Sequence, residues 1–65
     1  MNGIVTSRDY EGLPLELALK KAISSGFTPR IVEENGKSFM LTMDLVPNRI
    51  NFRVRNDVII EAYPG

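Results

Sequence analysis

Residues 49–55 read Arg49-Ile50-Asn51-Phe52-Arg53-Val54-Arg55, and Asn56-Asp57 then leads into Val58-Ile59-Ile60-Glu61-Ala62-Tyr63. In the first run Ile50, Phe52 and Val54 alternate with Arg49, Asn51, Arg53 and Arg55. A period of two is that of a half-buried strand, apolar on one face and polar on the other. Asn56-Asp57 is turn chemistry, and the β-branched run after it predicts a last strand antiparallel to its neighbour. Such a hairpin cannot bury its apolar face alone, so a cover has to come from elsewhere in the chain.

Residues 14–25 supply it. Leu15, Ala18, Leu19, Ala22 and Ile23 fall at i, i+3, i+4, i+7 and i+8, one helical stripe. Pro14 suits the first turn, where its missing N–H costs nothing. Glu16 lies near the positive end of the helix dipole and Lys20 and Lys21 near the negative end, as the polar side of the helix. Gly26 provides a left-handed stop. Thr28-Pro29-Arg30-Ile31-Val32-Glu33 reads as a short outer strand opened by a proline, and Asn35-Gly36 as a turn. The expected architecture is α+β, one helix packed on a small mixed sheet, as a single domain over residues 1–65. Residues 1–9 are weakly patterned: a loose arm, or an edge strand pairing with the sheet or with a second copy.

Composition narrows the chemistry. The 65 residues hold eight basic and eight acidic side chains and no His, Cys or Trp. Without Cys there is no disulfide, thiolate zinc site or thiol nucleophile. Without His the commonest general base and metal ligand is missing. Asp44, Glu33 and Glu34 form no evident catalytic constellation, so neither an enzyme nor a cofactor or metal site is expected. A net charge of +0 and the lack of an aromatic row count against nucleic-acid binding through Arg49, Arg53 and Arg55. No run approaches the roughly 20 apolar residues of a membrane span. Residues 1–7 show no basic start and no long apolar run, so a cytoplasmic location is expected, with a separately removed leader as the other possibility.

Residues 39–48, Phe39-Met40-Leu41-Thr42-Met43-Asp44-Leu45-Val46-Pro47-Asn48, leave two readings open. They are too apolar for an ordinary solvated loop, yet end in a Pro-Asn turn. In one reading residues 38–45 are a core strand paired with residues 30–33 through the Asn35-Gly36 turn, and Met43 is a core residue. In the other, residues 40–47 are an exposed extended loop displaying apolar side chains to a partner.

Thr42-Met43-Asp44, then Asn48-Arg49-Ile50-Asn51-Phe52-Arg53-Val54, Val58-Ile59 and Gly65 resemble the potato inhibitor I family of serine-protease inhibitors. The likeness is greatest to its microbial branch, the I78 inhibitors, and covers roughly residues 10–65. It favours the exposed-loop reading.

The resemblance implies a reactive loop formed by Leu41, Thr42, Met43, Asp44, Leu45 and Val46, which pairs with a protease cleft as an added strand. Met43 would fill the primary specificity pocket, and the bond between Met43 and Asp44 would be the reactive one. An apolar, unbranched Met suits subtilisin- or chymotrypsin-like enzymes, not trypsin-like pockets with a buried carboxylate. Arg49 would brace Asp44 and the neighbourhood of Thr42, with Asn51, Pro47 and Gly65 as further supports; Gly65 would act through a terminal carboxylate. Several positions depart from the family pattern. Asn51 stands where plant members carry a second bracing arginine, Leu45 replaces a common Tyr and Val46 a polar residue, the last turn is one residue short, and Pro64 stands where microbial members often have Cys. A monomer is expected, with dimerisation through an edge strand as the variation on it. The rival function is a non-inhibitory module of the same fold, docking on an intracellular protein through the loop or an edge strand.

Overall fold

A computed structural model describes residues 7–39 and 46–65. Met40, the predicted loop residues Leu41 to Leu45, and residues 1–6 of the predicted arm lie outside the described residues. The elements run as a short 3-10 turn (Ser7–Asp9), helix α1 (Leu15–Ser24), and strands β1 (Thr28–Glu34), β2 (Lys37–Ser38), β3 (Arg49–Arg55) and β4 (Val58–Pro64). The strands form one mixed sheet in the order β2-β1-β3-β4, in which β1 and β3 are parallel and the two outer pairs antiparallel. One helix on a four-stranded mixed sheet is the α+β class expected.

Both hairpins close on left-handed residues. Asn35 and Gly36 have φ of 52° and 82°, and Asn56 and Asp57 have 52° and 62°. Two successive positive φ angles follow the twist of the flanking strands, which is why Asn, Asp and Gly occupy these corners. Because β1 and β3 are parallel, the two turns lie side by side, and the Asn56 N–H donates to Asn35 Oδ1 at 2.8 Å.

The proline-opened strand is not at an edge. β1 sits between β2 and β3 and still accommodates Pro29. The Thr28 N–H donates to Asn48 C=O at 2.8 Å, so by alternation the Pro29 nitrogen faces away from β3. On that side β2 pairs only with Glu33 and Glu34, and no ladder bond is lost.

The core lies between α1 and one face of the sheet. Ala18 and Ala22 are fully buried against Ile50, Phe52, Val54, Ile59 and Ala62, with Leu13, Leu15, Leu19, Phe27 and Ile31 packed around the rim. Two alanines let the helix backbone approach the sheet closely. Ile23, assigned above to the same stripe, is 64% exposed. Each i+4 step overshoots a full turn by about 40°, so Leu15, Leu19 and Ile23 walk progressively off the buried line that Ala18 and Ala22 define.

The segment before the helix closes the β4 edge. Gly12 N–H donates to Ile59 C=O and Ile59 N–H to Leu13 C=O, both at 2.9 Å, and Leu15 N–H donates to Asp57 C=O at 2.8 Å. The last bond satisfies a first-turn amide of α1, which has no side-chain cap. Pro14 accordingly stands one position before the helix, in a bridge with Val58. Further along the edge Ser7 Oγ accepts from the Ala62 N–H at 3.0 Å. Part of the weakly patterned N-terminal stretch therefore guards a sheet edge.

Tyr10 is buried beside Phe52, with ring centroids 5.2 Å apart. The Lys21 ammonium stands 5.1 Å from the Tyr10 ring centre and donates to Asp9 C=O at 2.7 Å. Lys21 is thus more than solvated helix polarity: it ties the segment before the helix to the helix itself. No helix among the described residues is long and apolar enough to cross a membrane.

Candidate functional site

The face of the sheet turned away from α1 divides in two along its length. At the end near the two turns it is polar and open. Arg53 donates through Nε to Glu33 on one neighbouring strand and through Nη1 to Glu61 on the other, the latter at 2.8 Å. Hydrogen bonds to Glu61 and Glu33 raise the guanidinium pKa above its ordinary value. Two carboxylates claim Arg53, so Arg49, Arg53 and Arg55 do not form an unbroken cationic row.

At the other end, where residues 46–48 lead into β3, the same face is more enclosed. Asn51, read above as part of a polar strand face, is 2% exposed. Strict alternation fails here because a sheet face is solvated only where nothing lies over it, and period-two patterning carries no information about covering. Arg30 and Asn51 are register partners across β1 and β3, as are Thr28 and Arg49. Arg30 Nε donates to Asn51 Oδ1 at 2.9 Å. Arg30 and Arg49 are both half-buried, and Arg49 has an interaction of its own. Val32 is buried but stands apart from the helix-side core, and the β1–β3 register shifts around it.

Gly65 completes the cluster. Its N–H donates to Arg49 C=O at 3.3 Å. Its φ of 130° favours glycine, and a Cβ there would stand 3.5 Å from Asn51 Nδ2. Pro47 and Asn48 are exposed and form the turn into β3, with Asn48 at φ 62°. A positive φ directly after proline is the requirement of a type II turn. Val46 is half-buried.

The structure therefore gathers Arg49, Asn51 and Gly65 at the entry of β3, next to the Pro47 turn. It also adds Arg30, which the sequence marks only as a residue of the strand opened by Pro29. Only the parallel β1–β3 register makes Arg30 a neighbour of Asn51, and no local pattern encodes that pairing. The cluster offers guanidinium and carboxamide groups but no acid–base pair, and no metal-holding group of three or more His, Cys, Asp or Glu occurs among the described residues. Elsewhere a cleft of about 440 Å³ is lined by Pro14, Leu15, Glu16, Leu17, Lys20 and Asp57, none of them a predicted site residue. No family model matches the chain, and no curated protein or solved structure is significantly similar to it.

Proposed function

We propose that the chain is a serine-protease inhibitor that presents residues 40–47 as a substrate-like loop, with Met43 for the primary pocket and the reactive bond between Met43 and Asp44. The carrying observation is the polar cluster of the buried Asn51 with the half-buried Arg30 and Arg49 at the entry of β3. An inhibitor differs from a substrate in rigidity: the loop is held in its bound shape beforehand, so that little entropy is lost on docking. Lacking cysteine, this chain needs polar side chains for that task, and Arg30, Asn51 and Arg49 stand at the start of β3, next to the Pro47 turn.

Chain length supports the same reading. β2 and β3 lie on opposite sides of β1, roughly 10 Å apart, and residues 39–48 offer roughly 30 Å of extended chain. That is more than a direct connection uses, and leaves length for a projecting segment.

Titration of the chain against subtilisin and chymotrypsin, with mass analysis of the recovered protein, tests the proposal. Stoichiometric inhibition with slow cutting after Met43 is expected. Met43→Lys should shift inhibition towards trypsin by at least tenfold, because a buried pocket carboxylate then gains a partner. Absence of inhibition, or a Met43→Lys variant with unaltered preference, removes the proposal and leaves a non-inhibitory binding module of the same α+β class.

A further inference from the structure

We infer that Arg30 is a positioning residue, fixing the orientation of the buried Asn51 carboxamide and through it the strand end on which the reactive loop closes; the inference rests on the inhibitor reading. A carboxamide has one accepting and one donating end of nearly equal size, and in open solvent either orientation is tolerated. Asn51 is 2% exposed, so the protein has to make that choice. Arg30 makes it: Nε–H, which can only donate, stands 2.9 Å from Oδ1. With Oδ1 held by β1, Nδ2 is left for the side of Gly65, where a Cβ would stand in ordinary van der Waals contact with it at 3.5 Å.

Two bonds from β1 thus clamp the start of β3. Thr28 N–H holds the carbonyl of Asn48 at 2.8 Å, and the Arg30 side chain holds Asn51 three residues later. Arg30 has capacity beyond this bond. Its Nη1 is buried and makes no hydrogen bond among the described residues, so the rigid guanidinium fork can serve Asn51 and a second acceptor at once. A lysine ammonium at the end of a flexible stem cannot reproduce that fixed pair of directions.

The test uses the full chain as wild type, Arg30→Ala, Arg30→Lys, Asn51→Ala and the double variant Arg30→Ala/Asn51→Ala. Arg30→Lys keeps the charge and the aliphatic stem, so it tests the role in a folded chain even if Arg30→Ala unfolds. Three quantities are read: the inhibition constant against subtilisin, the rate of cleavage between Met43 and Asp44, and, without protease, the hydrogen exchange of the Asn51 side-chain amide by NMR. Both Arg30 variants should weaken inhibition and speed cleavage by about tenfold, with Asn51 amide exchange about tenfold faster. The double variant should be no worse than Asn51→Ala alone, since both substitutions remove one coupled unit. Arg30 variants that inhibit and resist cleavage like wild type, effects that multiply in the double variant, or unchanged Asn51 exchange would each overturn the inference. A wild-type chain that inhibits no protease overturns the inhibitor reading instead, and Asn51 exchange then decides separately whether Arg30 orients the carboxamide.

Discussion

Tyr10 is buried with its ring against Phe52, and its ionisation is penalised. Burial first, and the nearby Asp9 charge second, raise its pKa above the ordinary value of 10.0. The folded state therefore holds this proton more tightly than the unfolded chain does. Its contribution to stability is complete below the unfolded pKa and is lost as pH rises through and beyond it. Alkaline unfolding should begin above about pH 10, and Tyr10→Phe, which keeps the ring against Phe52, should move that onset to higher pH. Tyrosine absorbance followed with circular dichroism in a Tyr63→Phe background isolates the effect, because the chain has two tyrosines. An onset that Tyr10→Phe leaves in place would assign alkaline unfolding to other groups.

At the scale of elements, the helix shows how an amphipathic pattern is read by its partner. Ala18 and Ala22 touch the sheet with no accessible surface left, while Ile23 near the end of the same helix is 64% exposed. Ile23→Lys should change stability by no more than about 0.5 kcal/mol. Ala18→Leu, which replaces the best helix former by one nearly as good, should cost about 1–3 kcal/mol, because the added carbons have to push the helix away from Phe52 and its neighbours. Urea denaturation with a common m-value distinguishes the two. The strands make a parallel point: β1 is interior yet contains Pro29, because the short β2 ends before reaching it.

For the whole molecule the decisive quantity is the size of the core. A chain of 65 residues has a net stability of roughly 3–10 kcal/mol, with no disulfide to add to it. Phe52 is the largest of the fully buried side chains among the described residues. Phe52→Ala should cost about 3–5 kcal/mol, a large share of that margin. Urea denaturation followed by circular dichroism should show a midpoint lowered accordingly. A Phe52→Ala chain as resistant to urea as wild type would mean that the sheet and the helix are held by something besides their shared face.

What the amino-acid order determined alone was local: helix α1 to within a residue at each end, the two hairpin turns, the alternation of β3, and the α+β class. Each follows from contacts between residues close in sequence, or from φ angles that only Asn, Asp or Gly adopt readily. Arg49, Asn51, Pro47 and Gly65 were legible as candidates through a resemblance in spacing, whereas Arg30 was not. Its place beside Asn51 arises from a parallel pairing of residues 21 apart in sequence, and parallel register has no turn to announce it. Tertiary structure alone decided that Asn51 is buried, that Ile23 is not, and that residues 7–15 seal the β4 edge. In each case the outcome depends on what lies over a surface, and cover is supplied by chain that is distant in sequence.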